Sequence, residues 1–305
     1  MKNISIANGE IQGSEIALGC MRIAQMNIEE VESLIKTSMD CGINFFDHAD
    51  IYGKGKSEEV FGHVLLKEPS LREKMILQTK CGIRPGFYDF SKEHIVASVE
   101  DSLKKLKTDY VDVLLLHRPD TLMEPEEVAE AFSKLHKDGK VKHFGVSNHN
   151  PMQIELLNKY LDNKLVINQL QFSIMHTGII DNGLNVNMKI DPSIDRDGSI
   201  LEYCRLKDIT IQAWSPFQYG FFEGVFLDNE KFPELNKKIN EIAEKNGVSN
   251  TAIAVAWILR HPARIQTIIG TTNKKRIQDI AKASEVEITR QEWYEIYRAA
   301  GNKLP

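Results

Sequence analysis

The chain has 305 residues, a formal net charge of −5, 42% hydrophobic residues and 27% charged residues. So mild a charge gives no electrostatic footing for nucleic acid or an anionic membrane surface, and no apolar run reaches the ~18 residues of a membrane span. The N-terminus MKNISIANGE lacks a signal-peptide core, and the four cysteines form no C-x-x-C pair, so free thiols in a reducing, cytoplasmic compartment are expected.

In chain order, ISIANGEIQGS turns at Asn8-Gly9 between short alternating stretches, which predicts a hairpin. Short buried strands are then expected within EIALGCMR, NFFDHA, MILQTKCG, YVDVLLLHR, KHFGVSN, VINQLQFS, TIQAWSP and IQTIIGTT. Apolar residues recur at helical spacing over 28–41, 57–67, 91–107, 126–138, 151–161, 198–207 and 235–245. Ser57 and Ser91 suit helix N-caps, although Val60 and His94 prevent complete capping boxes. Lys137-Asp138-Gly139 and Lys245-Asn246-Gly247 read as helix ends. Residues 175–197 read as a long polar loop, and 251–260 and 288–299 as further helices.

About eight strand-plus-helix units without a break in composition predict one (β/α)8 barrel domain over residues 1–305. The N-terminal hairpin and the extra C-terminal helices are additions to it. The competing arrangement, a doubly wound open sheet, calls for a Gly-rich turn after its first strand, where Gly19 stands alone.

The C-terminal strand ends of such a barrel form its reactive mouth. The second strand ends near Asp47, with Tyr52 in the following loop; the third ends on Lys80, and the fourth on His117. Each residue alone has an ordinary explanation as a cap, a loop-packing ring or a solvated charge. Together, three successive strands deliver an acid, a phenol, an amine and an imidazole to one rim. A tyrosine with pKa ~10 is a weak acid, and a nearby ammonium group is expected to lower that value. Lys80 needs a counter-charge to stay protonated away from water, and Asp47 is the candidate. The phenol would then protonate a carbonyl oxygen, and neutral His117 would orient it. No serine or cysteine nucleophile is evidently paired with a base, which disfavours acyl transfer. Carbonyl reduction remains, and it needs a hydride source.

These motifs resemble the aldo-keto reductase superfamily over nearly the whole chain, most closely its bacterial oxidoreductases. FDHADIYG, LQTKCG and YVDVLLLHRPD are similar to the segments bearing the family's catalytic Asp, Tyr, Lys and His, here Asp47, Tyr52, Lys80 and His117. GKVKHFGVSNHNP, INQLQFS and AWSPF resemble the motifs of strands five to seven. The resemblance implies a barrel that binds NADP(H) without a Rossmann domain. It places Ser147, Asn148 and Gln169 at the nicotinamide carboxamide and Trp214 against the ring. Ser215, Pro216 and Phe217 fall on the loop crossing the pyrophosphate, and Gly19, Met21 and Arg22 near the nicotinamide. Gly270, Thr271, Thr272 and Arg276 fall at the adenosine phosphate. Better-known members carry lysine at the position of Gly270 and asparagine at that of Ile280; Lys274 and Lys275 are candidates to compensate.

Ile23, Ile51, Phe87, Tyr88, Phe90, Phe217, Tyr219 and Phe221 are candidate pocket residues for an apolar or aromatic carbonyl compound, with Arg84 a candidate for an anionic one. A small-molecule substrate, no metal, no nucleic-acid or membrane partner, and a monomer or weak oligomer are expected. The alternative is a cofactor-binding regulatory subunit of the same fold with little turnover.

Overall fold

The computed structural model describes residues 1–304. Strands Asn3–Ile6 and Ile11–Ser14 form the expected antiparallel hairpin, with Asn8 and Gly9 at φ 54° and 100° in its turn. Its apolar side chains Ile4, Ile6 and Ile11 join Phe45, Val113, Leu115 and Ile167 in one buried cluster. The hairpin thus plugs the end of the barrel where the strands begin.

Eight strands close the barrel: β1 (Ile16–Gly19), β2 (Phe45–Asp47), β3 (Ile76–Cys81), β4 (Val111–Leu116), β5 (Val141–Ser147), β6 (Ile167–Gln171), β7 (Thr210–Trp214) and β8 (Gln266–Ile269). Each pairs in parallel with its neighbours, and β8 returns to β1. The strands are short and buried on both faces, which is why β2 and β4 read as largely apolar runs rather than alternating ones. Helices surround them. Helices Lys56–Lys67 and Lys92–Leu106 approach most tightly at Gly62, where an added Cβ would lie 2.0 Å from the Lys105 carbonyl oxygen. Helices Asn250–Leu259 and Arg290–Ala299 are joined by Trp257 and Trp293. Their rings stack at 4.6 Å, and each indole N–H donates to the other residue's carbonyl at 3.0 Å.

Ser91 caps its helix by accepting from the His94 N–H at 3.3 Å. Ser57 does not cap. Gly55, at φ 86°, starts that helix earlier, and buried Ser57 donates to the Met21 carbonyl at 3.4 Å. The stretch 175–197 is not wholly a loop: it holds helix Gly178–Leu184 and a short 3-10 turn, Asp191–Ser193. Asp181 on that helix accepts from the Tyr297 hydroxyl at 2.7 Å, tying it to the C-terminal helix. Among the described residues no helix is long and apolar enough to cross a membrane.

Candidate active site

Strand register builds the site. Asp47 ends β2 opposite Gln78, and Lys80 on β3 pairs with Leu115 on β4, one alternation before His117. The β2–β3 ladder runs past the strand end: the His48 N–H donates to the Gln78 carbonyl at 2.8 Å and the Asp50 N–H to that of Lys80 at 3.0 Å. The chain then folds back in a 3-10 turn, Tyr52–Gly55. Gly53 serves this turn twice over: its φ is 56°, and a Cβ there would meet that of Ala24 at 2.3 Å. The turn brings Tyr52 over the end of β3.

Lys80 is fully buried and its ammonium is saturated. It donates to both Asp47 carboxylate oxygens at 2.8 Å, to the His48 carbonyl at 2.7 Å and to the Tyr52 hydroxyl at 3.1 Å. Burial would lower its pKa, but Asp47 and Tyr52 outweigh that and hold it above the usual lysine value. Tyr52 behaves differently from the expectation. Burial of its hydroxyl raises the phenol's pKa; Lys80 opposes this without overcoming it, so the net shift is upward. The ring keeps some exposure towards the cavity, but its oxygen sits among protein atoms. Lys80 therefore offsets the cost of a future phenolate and leaves Tyr52 a neutral acid at physiological pH.

His117 lies edge-on to Tyr52, ring centroids 6.0 Å apart. Burial, followed by the charges of Lys80 and Arg118, pushes its pKa well below the usual histidine value, so the ring is neutral. Its Nδ1 is buried without a partner, which leaves Nε2 to meet a ligand. His48, in the same motif as Asp47, is not part of the site. It packs edge-on to Phe61 at 4.6 Å, and burial lowers its pKa to about 3.

A chain of buried amides positions Asp47, and sequence reasoning missed most of it. Gln78 and Gln169 donate to Asp47 Oδ1 at 2.6 and 3.1 Å, and both also donate to Gln212 Oε1. Gln212 donates to Gln266 at 2.8 Å, and Gln266 to the Ser14 carbonyl at 2.6 Å. The signal was present: four of the short buried strands each carry a glutamine, and Gln169, Gln212 and Gln266 are register partners across β6, β7 and β8.

A cavity of about 550 Å³ opens over Tyr52 and His117. Gly19, Met21, Arg22, Asp47, Ser147, Asn148, Gln169, Trp214, Ser215, Pro216, Phe217 and Gly270 all border it, as do Ile51, Tyr88 and Phe221. Thr271 is buried beneath this rim, where its Oγ accepts from the Asn273 N–H at 3.2 Å. Thr272 and Arg276 are exposed beyond the Gly270 end and do not border the cavity.

Four expected pocket residues are elsewhere. Ile23 is buried in the core under its own 3-10 turn. Phe87 is 56% exposed on a small hairpin, because neighbouring residues of an extended strand point to opposite sides and Tyr88 takes the cavity side. Tyr219 packs on Phe232 at 5.0 Å and accepts from Lys231 at 3.3 Å. Phe90 is buried where Gly82 leaves it room. Arg84 pairs with Asp89 at 3.3 Å, Lys274 donates to Ser33 and Lys275 to Asp279. Ile280 is a core residue. No residue of 175–197 borders the cavity, whereas Arg118 and Phe222, unanticipated, do. A larger, open depression of about 940 Å³ near Lys238 and Glu295 lies away from these groups, among charges that pair with one another.

The residues bordering the cavity fit a nicotinamide dinucleotide. A carboxamide needs a donor and an acceptor together, and Asn148, Ser147 and Gln169 offer both kinds. The Trp214 ring supplies a flat face, fixed by its N–H donating to Asn148 Oδ1 at 3.2 Å. Asn148 and Ser215 hold left-handed backbone, φ 60° and 53°, where the chain leaves β5 and β7. Strain of this kind collects at ligand sites. At the far end, a Cβ on Gly270 would meet nothing closer than Arg22 Nη1 at 3.9 Å, so that backbone is open to approach.

The aldo/keto reductase family profile matches residues 15–300. The uncharacterized oxidoreductase YcsN of Bacillus subtilis is 38% identical over the full length of both chains. A 6-dehydroglucose reductase of Agrobacterium fabrum is 36% identical over 99% of each. The crystal structure of a thermostable aldo-keto reductase, Tm1743, in complex with the inhibitor epalrestat superposes with a TM-score of 0.79 at 24% identity, covering 98% of this chain and 100% of that one. An aldo-keto reductase of Bombyx mori in complex with NADP gives 0.74 at 22% identity, covering 97% and 92%. With the family's profile spanning almost the entire barrel and close relatives matched end to end, the chain belongs to the aldo/keto reductase family of oxidoreductases, which act on small carbonyl compounds.

Proposed function

We propose that this protein reduces an aldehyde or ketone to an alcohol with NADPH, and that Tyr52 supplies the proton. The observation that carries this reading is the Lys80 ammonium, 3.1 Å from the Tyr52 hydroxyl and held there by both oxygens of Asp47. A neutral phenol can give up a proton, and the adjacent ammonium stabilises the phenolate that remains. His117, neutral and with Nε2 left to meet a ligand, would donate from that atom to the substrate oxygen and orient it. Apolar and aromatic walls keep water from competing for that oxygen.

When bound, NADP(H) supplies the hydride. Ser147, Asn148 and Gln169 would hold its carboxamide, Trp214 its ring, and the backbone from Ser215 to Phe217 its pyrophosphate. Gly270, Thr271, Thr272 and Arg276 would hold the adenosine end, where the guanidinium of Arg276 favours a 2′-phosphate and hence NADP(H) over NAD(H).

Two relatives named as 6-dehydroglucose reductases make small aldehydes the first substrates to try. The test is a reaction with NADPH deuterated at the transferable C4 position. Deuterium on the carbinol carbon of the product supports the proposal. Tight NADPH binding without oxidation, across a panel of aldehydes and ketones, would replace it with the regulatory-subunit reading.

A further inference from the structure

Arg118 directly follows His117 and borders the same cavity. Its guanidinium carbon lies 5.6 Å from the Trp214 ring and 5.9 Å from that of Phe221, so it reaches across the mouth rather than out to solvent. Among the described residues no carboxylate forms an ion pair with it. The nearest acid in sequence, Asp120, is occupied by backbone, accepting from the Phe90 N–H at 3.2 Å and the Leu122 N–H at 2.9 Å.

The other charges at the cavity are already committed. Asp47 is held by Lys80, and Arg22 donates to the Gly270 carbonyl at 3.0 Å. A half-buried guanidinium without a counter-charge is uncommon, because partial desolvation of a charge is costly unless a partner compensates. Two aromatic faces supply only part of that compensation. Placement also matters. Arg118 follows β4, whereas the expected phosphate contacts follow β7 and β8; in the closed order β4 lies across the barrel from β8. From there the guanidinium reaches towards the Trp214 and Phe221 rings, inside the cavity that Tyr52 and His117 also border, so an anion it receives shares one chamber with the carbonyl site.

We propose that Arg118 is the substrate-anion site: the preferred carbonyl compound carries a carboxylate or phosphate-type oxyanion, which the planar guanidinium fork receives while the carbonyl oxygen meets Tyr52 and His117. This rests on the carbonyl-reductase reading and adds the substrate class to it.

The test compares 4-carboxybenzaldehyde with methyl 4-formylbenzoate, nearly alike in shape but different in charge. It uses the wild-type enzyme, Arg118→Met and Arg118→Lys. The wild type should prefer the carboxylate in kcat/KM by on the order of 10- to 100-fold, the range of a charge-assisted hydrogen bond. In Arg118→Met that ratio should collapse towards one, and Arg118→Lys should keep an intermediate ratio. A wild-type ratio near one, a ratio untouched by the substitution, or a loss appearing only as a higher KM for NADPH overturns the proposal. Calorimetric titration with benzoate separates the two claims. If the wild type reduces neither these aldehydes nor any other member of the carbonyl panel, the carbonyl-reductase reading fails. Benzoate binding that disappears in Arg118→Met then still upholds the anion site, and equal or absent binding in both proteins rejects it.

Discussion

Replacing Lys80 with methionine, a side chain of similar length, removes a cation from a fully buried position in the barrel. The wild-type ammonium makes four short contacts, two of them to the carboxylate of Asp47, which is 2% exposed. Without it, Asp47 retains only the amide donors of Gln78 and Gln169, and the charge stays out of water. Breaking a buried pair by removing one partner costs about 3–5 kcal/mol, against about 0–1 kcal/mol for an exposed pair. The assay is urea denaturation followed by tryptophan fluorescence, with linear extrapolation to water. Asp47→Asn and the double variant complete a mutant cycle. Lys80→Met should lose about 3–5 kcal/mol, and Lys80→Met/Asp47→Asn should recover at least half of that, because the stranded charge is gone. A loss below about 1 kcal/mol, or single losses that simply add, would refute the view that this pair is dry and mutually dependent.

Gly62→Ala should destabilise by about 1–3 kcal/mol, since its Cβ would strike the Lys105 carbonyl oxygen and the backbone of Leu106, which cannot rotate away; the same denaturation assay reads it, and a neutral result would reject the tight helix contact. The pH profile follows from His117 and Tyr52. Burial pushes the imidazole well below its ordinary range, so the donor form persists as pH falls; burial pushes the phenol up, so the proton donor persists as pH rises. Between about pH 5.5 and 8.5, kcat/KM for reduction of a neutral aldehyde should show no break. Asp50, whose carboxyl burial pushes up to about 7, is the other group in that window, so an inflection there that persists in Asp50→Asn would mean that His117 titrates in the free enzyme.

Much of the site is legible in the sequence because its logic is that of strand ends. Apolar runs stop on Asp47, Lys80 and His117, and parallel neighbours bring those ends together whatever the loops do. The acidity of Tyr52 is not legible in this way. It depends on the balance between a neighbouring cation and burial, and sequence reveals the cation but not the depth. The pocket walls are less legible still. Phe87 and Tyr88 are adjacent aromatics on opposite sides of one hairpin strand, and Ile23 turns inward under a 3-10 turn that periodicity does not announce. Ser57 has the right chemistry for a cap, but the left-handed Gly55 begins the helix before it. Arg118 passed as part of the HRPD motif, because a sequence does not say whether an arginine will find a carboxylate.

The most direct test of the account is Tyr52→Phe, which removes one oxygen and leaves Lys80, Asp47 and the cavity walls in place. The account predicts that NADPH binding, followed by fluorescence titration, changes by less than about twofold while kcat for aldehyde reduction falls by about 10²–10⁴-fold or more. A variant that still reduces aldehydes at close to the wild-type rate would contradict it.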